Sequence, residues 1–572
     1  MSQDPLPIVH PVSPTPPPSA GAMATAKPAR ATTDTAREAC ETFVFVVVLV
    51  MLLKLFVAEA FVIPTGSMAE TLWGDQIEVG CRECGFRFPM NASVDSLADS
   101  TRNPLYHYTC PNCGFRIDDN PPINPAFDPR QSAVEREQLE VWKDHKRSWM
   151  DQLRIRFFGD DPTQSFPSSG DRVLVSKYDY HLHEPKRFDV PVFKYPEAPF
   201  QLKDKVAMNY IKRLVGLPGE TIAVFGGDLY VATDLDYSWQ KKATTPEQLN
   251  DAWKIEWTYQ SDPTAIEHFQ AGKFRILRKS PEEIVAVRRI VFDFDHQPKS
   301  LRDGDRTRWE ASPNDGTGWK IADKSFSHSG DRGWVRYVHR TPGWGSSRQP
   351  ETGIVTDNLG YNKSDPGFGP YWVPDLTVET EAAFASASSE VVLELNRGSR
   401  VFSAVFANGE CQIGVRGSDE PFEKMQPLGA APTKIATAGT YNLRLANVDS
   451  RLTVWVNNRP LELGKGADCS VPDPTQKQEA SAADRDRAVR IGAKGDVVCS
   501  KVRIHRDIYY TCWPNCGSPV QTYYVQPDHI LCFGDNSNSS SDGRSWGLVP
   551  KRMLLGRAVM VYWPYNRIGV IE

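Results

Sequence analysis

Two groups of residues in this chain are typed and spaced for chemistry, and both lie near its start. The first centres on Ser67, in Pro64-Thr65-Gly66-Ser67-Met68, directly after an apolar stretch from Phe43 to Ile63. A serine hydroxyl is a weak nucleophile until a neighbouring base takes its proton. No histidine–carboxylate partnership lies near it: His107 and His145 fall in later segments, and His181 and His183 lack a fixed acidic partner. The second group is Cys81, Cys84, Cys110 and Cys113, spaced C-x2-C-x25-C-x2-C, with Gly and Phe after each pair. Four thiolates at such spacing close a tetrahedral zinc shell, and the glycines let backbone N–H groups turn toward the sulfurs. Two disulfides in an oxidising compartment are the alternative. A closed shell of four cysteines leaves no open ligand position, so a structural zinc is expected and no catalytic one. Cys512-Trp513-Pro514-Asn515-Cys516 is open between a disulfide, a metal fragment and unrelated thiols. Cys40, Cys411, Cys469, Cys499 and Cys532 have no ligand spacing.

Two further segments complete the pattern. One is Tyr210-Ile211-Lys212-Arg213-Leu214-Val215-Gly216-Leu217-Pro218-Gly219; the other runs from Gly534-Asp535-Asn536 through Ser537-Asn538-Ser539-Ser540-Ser541 to Asp542-Gly543-Arg544. With the serine segment, and with Asp171-Arg172-Val173-Leu174-Val175 and Arg187-Phe188-Asp189-Val190, they resemble the type I signal peptidases. These are membrane-anchored serine proteases that remove export signals. The resemblance implies Ser67 as nucleophile and Lys212 as general base. It also implies that the Ser67 backbone N–H and the Thr65 hydroxyl hold the oxyanion. Ser540 falls where the family orients the lysine amine, although the serine run leaves Ser539 and Ser541 as alternatives. Asp542 and Arg544 fall on the family's charge pair, and Gly534, Asp535 and Asn536 on its last box. Gly543 replaces the usual serine, and paired cysteines depart from the family's simplest members. Catalysis by this route needs no cofactor.

A lysine base must be neutral. Its ordinary pKa is ~10.4, so burial has to disfavour the charged form by roughly 3–5 kcal/mol. Ile211, Leu214, Val215 and Leu217 surround Lys212 in sequence, and Arg213 should face elsewhere on an alternating strand.

The elements that would position these groups follow from texture. The 572 residues exceed one ordinary domain. A charged fraction of 24% describes a mostly water-exposed protein, and a net charge of −5 excludes a nucleic-acid footprint. Abundant Trp (15), Tyr (19) and Pro (44) favour a mainly β fold. Residues 1–38 read as a disordered tail and 39–63 as a single transmembrane anchor, with Lys54 snorkelling and Glu59 at the interface. Lys27, Arg30 and Arg37 favour a cytoplasmic N-terminus, putting the catalytic domain on the exoplasmic side. Residues 64–80 would start a catalytic core, interrupted by a zinc ribbon (81–118) and a helical insertion (119–164). The spacing of Val134, Leu139, Trp142, Trp149, Leu153 and Ile155 predicts an amphipathic helix over Gln131 to Phe158. The core would resume over 165–231, with strands at Asp171–Lys177, Phe188–Pro196 and Leu229–Val231. Pro191 inside a strand requires an edge or bulge.

A mixed region (232–284) and a β-sandwich (285–502) follow before the core ends in 503–572. Strands are predicted at Ile284–Phe294, Glu390–Leu395, Phe402–Ala407, Gln412–Val415, Tyr441–Ala446 and Leu452–Val456, with a turn at Asn457–Pro460. The run Tyr441 to Val456 resembles the final strands of concanavalin-like (laminin-G-like) sandwiches. The expected activity is signal peptidase I: an endopeptidase in the cell membrane acting on exported precursors, in contact with the lipid bilayer, with the sandwich free for further interactions. The alternative is a non-catalytic, membrane-tethered binding protein displaying the ribbon and the sandwich.

Overall fold

A computed structural model describes residues 35–52, 54, 57–93, 108–117, 168–194, 209–233, 235, 245–302, 307–322, 324–342, 349–362, 371–473, 475–476, 478–512 and 520–572. The amphipathic helix expected over Gln131–Phe158, Cys516 and nearly all of the expected tail lie outside these residues. The chain divides into two compact units, 1–55 and 56–572.

The first unit contains one helix, Thr35–Leu52, along which Arg37 pairs with Glu41 at 2.8 Å. The expectation of a membrane-spanning helix over 39–63 is corrected here. Among the described residues, no helix is long and apolar enough to cross a membrane. Arg37, Glu38 and Glu41 occupy its first turns, and its apolar remainder falls short of the roughly 20 residues a span requires. Ala58–Val62, read as the end of that span, is instead a strand paired antiparallel with Arg172–Ser176. Glu59, expected at the interface, pairs with Lys177 at 2.7 Å.

The second unit is built almost entirely of antiparallel sheets. One sheet runs in the order Ala58–Val62, Arg172–Ser176, Leu554–Trp563, Pro191–Lys194, Asn209–Ile211. A second contains Arg275–Ile276, Asp228–Thr233, Glu220–Phe225 and Val520–Tyr524. A short third sheet joins Val549–Pro550, His529–Phe533 and Arg213–Gly216. Strands from the start, middle and end of the chain are therefore interleaved over two buried clusters, one around Val173, Val175 and Val561, the other around Val215, Ile222, Leu531 and Phe533. Pro191 is the first residue of its strand, where its missing N–H costs nothing, so an inner strand tolerates it.

Between these pieces lie two larger sheets. One has eight strands and includes Val497–Arg506, Leu376–Phe384, Gly439–Val448 and Arg451–Val456. The other has seven and includes Gly333–Tyr337, Val489–Lys494, Glu390–Arg397, Arg400–Ala407 and Glu410–Gly417. They bury a common core: Phe292, Phe326, Val378, Leu445, Val454 and Ile504 from one meet Val335, Leu393, Phe406, Ile413 and Ile491 from the other. Val391, Leu393 and Leu395 enter that core at every second position, as the pleat demands. Asn457 and Asn458 make the expected turn with φ of 50° and 61°. The strand expected from Ile284 is corrected: Pro281–Val287 is helical and the strand begins at Arg289. Ser280 and Glu283 form a capping box with Pro281 in the first turn, and that local start signal outweighs the β-branched run.

A buried polar seam joins the sandwich to the core. Lys279 Nζ lies 2.9 Å from Asp449 Oδ1 and 2.7 Å from Asp507 Oδ2. Arg397 reaches Asp375 at 2.8 Å and Asp228 at 3.6 Å.

Gly170 brings the Arg172 strand against the serine loop. The neighbouring Asp171 accepts from Trp73 N at 2.8 Å, and its backbone bonds Ile63 N and Trp73 O. A Cβ on Gly170 would sit 1.9 Å from Ile63 O and 2.6 Å from Trp73 O, both backbone atoms that cannot swing aside. Gly170→Ala is therefore expected to lower unfolding free energy by about 1–3 kcal/mol or more, read from denaturant melts of the full chain.

Candidate active site

Gly66–Met68 form a single 3-10 turn after Thr65, whose backbone is extended and whose side chain does not cap the turn. Met68, Ala69 and Leu72 are completely buried beyond it, which pins the turn into the core. Ser67 is 9% exposed. Lys212 lies between the strands Asn209–Ile211 and Arg213–Gly216 and is 3% exposed. Its Nζ is 2.7 Å from Ser67 Oγ and 3.1 Å from the Ile211 carbonyl oxygen, and 5.4 Å from the centre of the Tyr210 ring. Burial is the largest influence on this amine. It outweighs the carboxylates of Asp542 and Asp535 and brings the Lys212 pKa down to about 8.

The next residue engages a different set of partners. Arg213 holds Asp535 in a two-pronged pair, Nε to Oδ1 and Nη2 to Oδ2, both at 2.8 Å. It also donates to the carbonyl oxygens of Phe188 at 3.0 Å and Glu572 at 2.8 Å. Burial alone would push Asp535 up, but the guanidinium of Arg213 overcomes it and holds the carboxyl below its usual range. Asp542 and Arg544 form a second buried pair at 2.7 Å. Asp542 also accepts from Gly534 N at 2.9 Å, while Arg544 donates to the carbonyl oxygens of Thr511 and Ser537. The segment from Gly534 to Arg544 is thus locked by charge-assisted bonds and presses on the serine turn: Asn536 N donates to Ser67 O at 3.1 Å.

Ser540 lies beside Gly534, close enough that a Cβ there would meet its Oγ at 2.1 Å. Its Oγ is buried and makes no hydrogen bond among the described residues, to Lys212 or otherwise. The Ser541 hydroxyl is directed instead to Ser545 Oγ, 3.5 Å away.

Some neighbours of the serine turn carry no motif. Arg289 Nη2 donates to Ala69 O and Thr71 Oγ1, each at 3.1 Å. Tyr361 packs against Gly66, and Asn362 bonds Asn536, both from the region between the sandwich strands. Tyr210 belongs to the lysine motif, yet only the geometry brings its ring near the amine.

The four paired cysteines form one cluster. All are free thiols. Cys81 and Cys113 sulfurs are 3.6 Å apart and those of Cys84 and Cys110 3.7 Å apart. A disulfide needs about 2.05 Å. The edge of a tetrahedron with ~2.3 Å zinc–sulfur bonds is about 3.8 Å, so the set fits a four-thiolate ion. Asn112 Nδ2 donates to Cys84 Sγ at 3.5 Å and to His296 O at 2.7 Å, tying the cluster to the sandwich. Cys512 lies elsewhere, its Sγ 3.8 Å from the Val224 carbonyl oxygen.

Two segments of the chain match one known family. The model described as "Signal peptidase, peptidase S26" covers residues 160–283 and 450–563, which hold Lys212 and the Gly534–Arg544 loop but not Ser67. A "Signal peptidase I" of Leptolyngbya laminosa is 38% identical over 79 residues, 12% of this chain and 39% of that protein. A "Probable signal peptidase I-2" of Synechocystis sp. is 47% identical over 47 residues, 8% of this chain and 22% of that protein. The chain thus spans about two fifths or less of these relatives' length. Among solved structures, a carbohydrate binding module, CBM66 from Bacillus subtilis, aligns with 35% of this chain and 93% of its own at 8% identity, with a TM-score of 0.20.

The Arg213–Asp535 pair generates a direct test. Asp535→Ala leaves a guanidinium buried without its counter-charge. It should cost about 3–5 kcal/mol in urea unfolding, far more than an exposed pair would.

Proposed function

We propose that this protein is an endopeptidase that removes N-terminal signal peptides from exported precursors, with Ser67 as nucleophile and Lys212 as general base. The observation that carries this reading is the 2.7 Å approach of a buried lysine amine to the serine hydroxyl. Base and nucleophile are in contact, and no histidine is needed.

With its pKa near 8, Lys212 is neutral in about a tenth of molecules at pH 7, against less than a thousandth for an exposed lysine. The neutral amine takes the Ser67 proton as Oγ attacks the scissile carbonyl carbon. The resulting ammonium gives that proton to the leaving amine, the new N-terminus of the mature protein, as the peptide bond breaks. The signal peptide is left as an ester on Ser67. Water then attacks the ester, Lys212 accepts one of its protons and returns it to Oγ as the ester bond breaks, and the signal peptide departs as a carboxylic acid that loses its remaining proton to solvent. Negative charge on the carbonyl oxygen is held by the Ser67 N–H and the Thr65 hydroxyl, which extends from the residue before the turn. The pairs Arg213–Asp535 and Asp542–Arg544 act as rigid supports: both are buried and each carboxylate is already neutralised. Ser540 is the candidate for a second contact to the amine, since its buried hydroxyl has no other partner among the described residues. Substrate would lie extended along strand edges, with small side chains in shallow pockets.

In this proposal the exposed apolar residues of the first helix, Phe43 to Leu52, put the chain on a lipid surface, where signal peptides emerge. The four thiolates of Cys81, Cys84, Cys110 and Cys113 hold one structural zinc ion.

Two outcomes are expected. Ser67→Ala and Lys212→Met each abolish cleavage of a purified precursor. For the unaltered protein, kcat/KM climbs close to tenfold per pH unit below pH 8 and levels above it, because the base works deprotonated. A flat profile between pH 6 and 8, or full activity in either variant, removes Lys212 from this role. Metal analysis of the purified chain should find about one zinc per molecule, lost in Cys110→Ser.

A further inference from the structure

The loop Leu359–Asn362 belongs to the long segment between the core strands, yet it packs directly on the serine turn. Tyr361 is completely buried with Ala69, Leu359 and Trp73. A Cβ on Gly66 would lie 2.3 Å from Tyr361 Cε1, so the ring is seated on the face that the missing side chain leaves open. Two backbone bonds hold the loop in place: Asn91 N to Tyr361 O at 2.9 Å and Asn362 N to Leu359 O at 3.0 Å. On its far side, Gly360 abuts Pro111 and Thr109, next to the paired cysteines.

From this platform Asn362 meets Asn536 in a reciprocal amide pair. Asn362 Nδ2 donates to Asn536 Oδ1 at 2.8 Å, and Asn536 Nδ2 donates to Asn362 Oδ1 at 2.7 Å. The second hydrogen of Asn536 Nδ2 goes to Gly66 O at 3.0 Å. Gly66 O also accepts from Ala69 N at 3.0 Å, the bond that closes the serine turn. Both hydrogens of the Asn536 amide are thereby committed, and its rotation is fixed from two sides.

Gly66 O and the Ser67 N–H belong to one peptide unit. That unit is planar and trans, so a grip on the oxygen also aims the N–H on the opposite edge. We infer that Asn362 is a positioning residue for the active site: through Asn536 it fixes the Gly66–Ser67 peptide and so directs the Ser67 N–H at the developing oxyanion. The inference rests on the protease reading above and adds to it that the inserted region supplies part of the catalytic geometry. Oxyanion donors work only if aimed before the reaction, so a loosened peptide slows chemistry without weakening substrate binding.

The test uses the full-length protein and a purified secretory precursor. Asn362→Ala should lower kcat about tenfold with KM within about twofold, the scale of one lost neutral hydrogen bond acting on the transition state. Hydrogen exchange at the Ala69 and Asn536 amides, bonded to Gly66 O and Ser67 O, should accelerate. Tyr371→Leu is the comparison. It removes the stack on Tyr509 (ring centres 5.3 Å apart), farther along the same segment, without reaching Gly66. It should leave kcat within about twofold and that exchange unchanged. Unaltered kcat and exchange in Asn362→Ala overturn the inference. So does an equal fall in kcat for both variants that tracks their loss of thermal stability, which would make the loop a contributor to folding alone. If the unaltered protein cleaves no precursor, the protease reading fails, and exchange at Ala69 and Asn536 decides by itself whether Asn362 holds the turn.

Discussion

The central physical constraint of this structure is an amine kept out of water. Lys212 is nearly inaccessible, and the cost of burying its charge is what draws the pKa down toward neutrality. Two carboxylates, Asp535 and Asp542, come close enough to pull the value back up, and each is neutralised by its own arginine. Arg544, paired with Asp542, pushes the amine pKa back down. The ion pairs thus set the electrostatics of the site as well as stabilising it.

Such a pocket cannot come from one stretch of chain. The serine turn precedes the Arg172 strand, the lysine sits between two middle strands, and the locking loop arrives after the sandwich. The strands that carry them pair antiparallel across these distances: Arg172–Ser176 lies between Ala58–Val62 and Leu554–Trp563. Loop closure over long insertions costs only logarithmically, which lets a large β region be threaded into such a core. The insertion then acquires contacts of its own, from Asn112 in the cysteine cluster to Arg289 and Asn362 at the serine turn.

What can be read from sequence is whatever is local. The Lys212 and Gly534 segments are compact motifs, and sandwich strands such as Glu390–Arg397 are short β-rich runs that send every second residue, Val391, Leu393 and Leu395, into the shared core. Two errors share a cause. Ala58–Val62 and Ile284–Val287 are short apolar runs, and such runs do not declare their state by composition. The first is a strand because its partner, Arg172–Ser176, lies far along the chain; the second is a helix because Ser280, Pro281 and Glu283 start one. That start signal is present in the sequence, where the β-branched residues after it mask it. The role of Asn362 has no such signal. Its amide matters only through Asn536 and Gly66, a relation between three distant positions that no spacing rule encodes. Which of Ser539, Ser540 and Ser541 matches the family position is ambiguous in sequence for a related reason: a run of identical residues has no register of its own.

The seam around Lys279 has a consequence for anyone trimming this molecule. Its ammonium is shared by Asp449, which the sandwich contributes, and Asp507, which leads back to the core, while Arg397 spans to Asp228 in a core hairpin. Excision of the sandwich would strand Asp228 without its guanidinium and leave Lys279 with one of its two carboxylates in a newly opened surface. A minimal version of the protein is therefore not obtained by cutting at the strand boundaries. It would need those orphaned charges redesigned together, as one unit.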